Sequence, residues 1–310
     1  MKYFGTTGGI IAAASPKSAE PLKMVGSIPV VKRIVLTLQQ ANVFPIVIVT
    51  GARESEIIHQ IANSGVIFLH IDNCEQLELL TSLKRGLVYL KNKCQRVVFT
   101  PVNTPMFFPS TLKAILSCDA PIVAPSCHGR GGHPIMLRHD MWDRILAYVG
   151  NDGLRGAIDT YGISRRWVPV EDEGVLLNVH NNEEQVKRHL KAHNDSLLSP
   201  VIKVNIESEQ IIFNARLKLL LFLIADLNSV RQACIHMGLS YAKAWNMINC
   251  LEKEVGYPIV SRQHGGSKGV HTKLTDKGEQ LMHAYQVYEQ ELNDIAQARF
   301  ETLFRQTSLV

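Results

Sequence analysis

The chain has 310 residues, 46% of them hydrophobic and 20% charged, and a formal net charge of +5. That length exceeds the needs of one small domain, and the composition is that of a globular chain with ample core material, which excludes a disordered or fibrous protein. The mild positive charge permits a polyanionic partner without demanding one, and no apolar run is long enough to span a bilayer, so a cytoplasmic protein without membrane contact is expected.

The six cysteines, Cys74, Cys94, Cys118, Cys127, Cys234 and Cys250, are scattered with no CxxC pair. A disulfide framework or a thiolate zinc site is therefore not expected. From the start to about residue 190, the apolar runs "GGIIAAA", "PIVIVTG", "VIFLHI", "VVFTPV" and "PIVAPS" alternate with amphipathic stretches. Between the first two, Val31, Ile34, Val35 and Leu38 mark a helix over Val30 to Ala41. The pattern predicts an α/β domain with a mainly parallel, Rossmann-like sheet covered by helices. Within "VVFTPVNTPMFF", the strand delivers an amide, Asn103, rather than a charge at its end.

The polar "HNDSLLSP" reads as a linker and divides the chain into domains 1–196 and 197–310. Beyond it, "VIKVNI" and "QIIF" predict a small hairpin, and Ala215 to Leu227 a leucine-rich helix. Ser229, with Gln232 completing a capping box, opens a second helix; Gly238 suits its left-handed end and Ser240 caps a third. In that third helix Ala244, Ile248, Leu251 and Val255 should face the core. Ser240, Tyr241, Lys243 and Asn246 lie near its N-terminus, donors suited to phosphates and base edges. "PIVSRQHGGSKGVHTKLT" predicts two strands about a glycine-rich turn, bearing Arg262, Lys268, His271 and Lys273. Each cation alone reads as a solvated surface residue; together, beside such a helix, they make a wing that grips a nucleic-acid backbone. Trp245 reads as a packing residue. Thr275 opens a last helix, where Leu281, Tyr285, Tyr288, Leu292 and Ile295 space a short coiled-coil seam, against the alternative of a helix folded on its own domain.

"SYAKAW", "GGSKG" and "LTDKG" mark the stretch from about Lys203 to Leu292 as resembling the winged helix-turn-helix of ModE-type molybdate regulators, related to LysR-type regulators. The resemblance implies double-stranded DNA as partner and a homodimer reading two half-sites. Their molybdate-binding module is expected to be absent after the last helix.

"GGIIAAASPKSAEPLKMVGSIPVV" followed by "PIVIVTG", then "GRGGHPIML" and "NDGLRG", resembles MobA-like nucleotidyltransferases over about residues 8 to 190. That family joins a nucleotide to the molybdenum cofactor, and the resemblance implies Mg²⁺ with CTP or GTP at an active site. Nucleotide binding would fall to Ala13, Ala14, Lys17, Lys23, Ser82, Gly132 and His133. The family's loop, roughly "LAAGxSxRMGxxK", is here "IAAASPKSAEPLK", with Ala14 at a glycine, Ser18 at the arginine and Glu20 at another glycine. The family's metal-binding aspartates fall on Asn103, Asn178 and His180, and neither amide nor imidazole suits Mg²⁺. Asp72, Asp152 or Glu183 moving in is not argued by any spacing, and His128, His133 and His139 read as turn or surface residues.

Three readings follow. In the first, a DNA-binding regulator carries a transferase-like domain that has lost metal-dependent catalysis and senses a nucleotide or molybdopterin-like effector, or serves as a scaffold. In the second, an active cytidylyl- or guanylyltransferase is fused to a regulator. In the third, the chain is an interaction module for a cofactor-maturation protein. The first fits the most residues.

Overall fold

A computed structural model describes residues 7–14, 21–72, 78–265 and 269–306, with the backbone alone for 263–265, 269, 270 and 305. It separates into two units, Met1–Leu198 and Ser199–Val310.

The first unit runs β1 (Thr7–Ala12), β2 (Met24–Val25), β3 (Ile28–Pro29), α1 (Val30–Gln40), β4 (Ile46–Thr50), α2 (Glu54–Ile61), β5 (Val66–His70) and α3 (Leu79–Leu90). It continues through β6 (Arg96–Pro101), α4 (Pro109–Leu116), β7 (Ile122–Cys127), β8 (Arg130–Gly131), β9 (Ile135–Arg138), α5 (Trp142–Ala147), α6 (Gly153–Thr160), β10 (Arg165–Pro169) and α7 (Glu183–Ser196). The apolar runs form strands because both faces of the sheet are covered, so every residue of β1 and β4 is buried. On one face Ile34, Val35 and Leu38 of α1 pack with Ile46, Ile48 and Val98.

The strand order is β10-β7-β9-β6-β1-β4-β5, with β8 beside β7. Pairing is parallel except at β8 and β9, which run against their neighbours. From β1 the chain moves outward through β4 and β5, then returns to the other side of β1 as β6. This reversal opens a crevice at the carboxyl ends of β1 and β6, the usual ligand position in an open α/β sheet.

The second unit contains the hairpin β11 (Asn205–Glu207) and β12 (Ile211–Asn214), then α8 (Ala215–Leu227), α9 (Val230–Met237) and α10 (Tyr241–Val255). A second hairpin, β13 (Val260–Gly265) and β14 (Gly269–Leu274), precedes α11 (Asp276–Phe300). The capping residues behave as their chemistry dictates. Ser229 Oγ accepts from Gln232 N (3.2 Å), Ser240 Oγ from Lys243 N (3.4 Å) and Thr275 Oγ1 from Gly278 N (3.1 Å). Gly238 ends α9 at φ 58°, where a side chain would be strained.

Three expectations need correction. The first half of the predicted linker, His193–Ser196, is the last turn of α7, because His193 is wholly buried and anchors the helix. Val255 is half-buried beside the Gly256 turn that ends α10, while Ala244, Ile248 and Leu251 do form the core stripe. Tyr285 points into its own unit: its hydroxyl donates to Val204 O (2.7 Å) and its ring lies 4.6 Å from that of Phe213. It is therefore not available to a coiled-coil seam, whereas Tyr288 and Ile295 are exposed. Among the described residues no helix is long and apolar enough to cross a membrane.

Candidate functional site

The crevice is built where three segments are zipped together. Ala13 and Ala14 follow β1 and are buried. Val102 N donates to Ala12 O (3.0 Å), and Val179 N donates to Asn103 O (3.0 Å). Asn103 and the Asn178–His180 segment are thereby neighbours. Lys23 joins them from the β1 side, since its Nζ donates to Val179 O (3.0 Å) and lies 2.5 Å from Glu183 Oε1. The hydrogen bond from Lys23 holds the Glu183 carboxyl below its ordinary value. Lys17, Ser18 and Glu20 lie outside the described residues.

The donor set can be tested against a hard divalent cation. Asn178 Oδ1 accepts from His180 N (2.9 Å) and Asn178 N donates to Asn182 Oδ1 (3.2 Å), so this amide is committed to a local turn. Asn103 Oδ1 accepts from Thr104 Oγ1 (3.4 Å), and His180 is exposed. Glu183, the carboxylate at hand, is taken by Lys23. Asp72 instead faces His70 Nε2 at 3.3 Å, and the Asp152 side chain makes no cap bond at the start of α6. Among the described residues no three His, Cys, Asp or Glu side chains come together as metal ligands. Magnesium favours anionic oxygens, and these residues do not fit it.

A protein-family model described as a MobA-like NTP transferase domain matches residues 15–166. Residues 15–166 form a MobA-like NTP transferase domain. Rv0371c of Mycobacterium tuberculosis, crystallised in complex with manganese, is 16% identical at a TM-score of 0.50, over 60% of this chain and 98% of that one. A nucleotidyl transferase from Methanothermobacter is 15% identical at a TM-score of 0.51, over 60% and 99%. The 4-diphosphocytidyl-2C-methyl-D-erythritol synthase of Anaerococcus prevotii is 14% identical at 0.50, over 61% and 96%. At such identities the likeness establishes the nucleotidyltransferase fold. No curated protein matches the chain.

Elsewhere in the NTP transferase domain, Ser82 is buried in the first turn of α3. Gly132 N donates to Pro125 O (3.0 Å), and a Cβ there would stand 2.4 Å from Val175 O, so only glycine fits. His133 N donates to Val175 O (3.0 Å), and its ring meets Phe99 edge-on at 6.4 Å. Burial pushes the imidazole down to about 4, which keeps it neutral at pH 7 and removes a cationic role toward phosphate. His128 Nε2 lies 3.6 Å from Glu173, and His139 is exposed.

The far end of α7, the helix that follows the turn carrying Asn178, is held by an anchor that no sequence pattern announces. Arg33 of α1, 1% exposed, donates to Val25 O (2.8 Å), to Asn194 Oδ1 (2.8 Å) and to His193 Nδ1 (3.1 Å). A guanidinium only donates, so His193 Nδ1 accepts and the ring is neutral. Burial, and then the Arg33 charge, depress the His193 imidazole to about 4.

In the second unit, Ser240, Tyr241, Lys243 and Asn246 are all exposed at the N-terminal half of α10. At about 100° per residue, however, Tyr241 and Lys243 flank opposite sides of the helix. The centre of the exposed face is Ala242, Asn246, Asn249 and Lys253, of which the last two lie beyond the first turns that the capping pattern marks. Tyr241 stands edge-on to Trp245 (6.1 Å), and Arg262 Cζ lies 4.1 Å over the Trp245 ring. His271 and Lys273 are exposed on β14, with Thr272 buried between them; Lys268 lies outside the described residues.

Proposed function

We propose that the chain is a DNA-binding regulator of the winged helix-turn-helix kind, in which α9 and α10 form the helix-turn-helix and the β13–β14 hairpin the wing. Its NTP transferase domain serves as a sensor for a nucleotide or molybdopterin-like effector, or as a scaffold, without metal-dependent transfer. What carries this reading is the exposed face of α10, whose Asn246, Asn249 and Lys253 project beside a hairpin bearing Arg262, His271 and Lys273. Amide side chains pair with adenine edges and cations with phosphates or guanine, so such a face suits a major groove. The link to molybdenum cofactor metabolism rests on two family resemblances that arise in different units. A homodimer on the exposed Tyr288 and Ile295 of α11 would present two such helices.

The test is a genomic footprint with pure protein, followed by affinity at rising salt. Binding should weaken with salt and with Lys243→Ala, while magnesium-dependent pyrophosphate release stays at background. Absence of any footprint overturns the reading.

The family match favours a second reading, an active cytidylyl- or guanylyltransferase using Mg²⁺ with CTP or GTP. A related protein was crystallised with manganese, and that supports asking the question of this chain. Robust pyrophosphate release would make it the primary reading.

A further inference from the structure

We infer that the cleft between α9, α10 and the β13–β14 hairpin is a phosphate seat, in which Arg262 and Arg231 together hold one backbone phosphodiester of DNA. The inference rests on the DNA-binding reading above and deepens it. The cleft measures about 480 Å³ and is lined by Arg231, Tyr241, Trp245, Arg262 and the buried Thr272 among others.

The chemistry is specific. Arg262 Cζ sits 4.1 Å from the centroid of the Trp245 indole. A contact of that kind holds the guanidinium without consuming its N–H donors, whose fork matches two phosphate oxygens. Arg231, exposed on the first turn of α9, offers a second cation to the same cleft. Among the described residues neither arginine has an acidic partner in an ion pair. A lone lysine on a surface would be bland; two guanidiniums lining one cleft, one of them held against an indole, are not.

The walls are fixed as well. Glu252 Oε1 accepts from Ile259 N (2.7 Å) and Val260 N (3.0 Å), tying the base of β13 to α10. On the other strand, Thr272 N donates to Asn228 O (3.0 Å), tying β14 to the turn before α9. The hairpin is therefore held on both strands, and Arg262 reaches Trp245 without a closing motion. Trp245 stands at the edge of the face that carries Asn246 and Asn249, so a phosphate here lies next to the groove that those amides would read.

Arg262→Gln, Arg231→Gln and Arg262→Lys, all surface changes, are compared with wild type by DNA affinity across a salt series. Each glutamine variant should weaken binding about tenfold on every sequence tried. Combined, the two glutamine changes should lower the slope of log affinity against log salt by about 0.9, the count for one phosphate, and each alone by part of that. Arg262→Lys should keep the slope and lose part of the affinity, because charge survives and the planar fork does not. DNA binding with an unchanged slope in both glutamine variants overturns the seat and leaves the DNA reading intact. If wild type binds no DNA at any salt, that reading fails, and the seat is judged on free pyrophosphate by calorimetry: binding lost in Arg262→Gln supports it, and no binding overturns it.

Discussion

Lys23 and Glu183 are 160 positions apart in sequence and form an ion pair of 2.5 Å across the crevice, with Lys23 also bound to the Val179 carbonyl. The one cation of the described crevice that the family resemblance assigns to phosphate is thus already neutralised from within. Lys23 is partly shielded and Glu183 largely exposed, so the pair is of moderate strength. Glu183→Gln should free the ammonium and raise the affinity for CTP or GTP about two- to fivefold, measured by calorimetry without metal. Equal affinity in wild type and Glu183→Gln would show that Lys23 does not face the ligand.

Restoring carboxylates offers a second check. In Asn103→Asp, Asn178→Asp, His180→Asp together, an aspartate at 178 retains the oxygen that accepts from His180 N, so the turn should survive. The triple variant should bind Mn²⁺ at least tenfold more tightly than wild type, read by the electron paramagnetic resonance of free Mn²⁺. No gain would mean that Asn103 and the 178–180 turn do not share a cation position.

The sheet was legible because helices cover both faces, which makes β1, β4, β5, β6 and β7 continuous apolar runs. β10 was not, since its edge position leaves Arg166, Trp167 and Pro169 exposed and the apolar signature is lost. β9 is only four residues long and runs antiparallel, so "IMLR" carries no pattern of its own. The capping residues Ser229, Gly238, Ser240 and Thr275 act within a few positions of themselves and could be read directly. Lys23 with Glu183, Arg33 with His193 and Arg262 with Trp245 are contacts between distant or differently shaped elements, and no local pattern announces them. That the resembled family's motif has Asp where this chain has Asn103, Asn178 and His180 could be read only against that motif, and the same is true of Gly132, whose need for glycine lies in Val175 O.

Acid should loosen the first unit. His133 and His193 have folded-state values near about 4, below the ordinary 6.5, so the unfolded chain binds protons first as pH falls. Stability contributed by the neutral rings is full above 6.5, is lost as pH falls toward 4, and changes no further below it. Arg33, His189 and Asp172 also face the His193 ring, and the Arg33 charge steepens the loss. The urea midpoint should drop from pH 7 to pH 4.5 by the equivalent of about 2–3 kcal/mol for each ring, and His193→Gln should remove about half of that slope. A midpoint constant across this window would refute the buried neutral pair.

The exposed face of α10 separates two kinds of contact. Asn246 and Asn249 have no charge to give a phosphate, so as readers of base edges they should affect sequence choice and leave the salt dependence alone. Asn246→Ala should cost about 1–3 kcal/mol on the preferred site, much less on unrelated DNA, with an unchanged salt slope. Lys253, a turn further along, carries charge and should behave oppositely: Lys253→Ala should weaken every sequence alike and lower the slope by about 0.9. Selection of bound oligonucleotides from a random pool measures the first effect and a salt titration the second. If Asn246→Ala returned the same preferred sequence as wild type at the same affinity, α10 would not be the element that enters the groove.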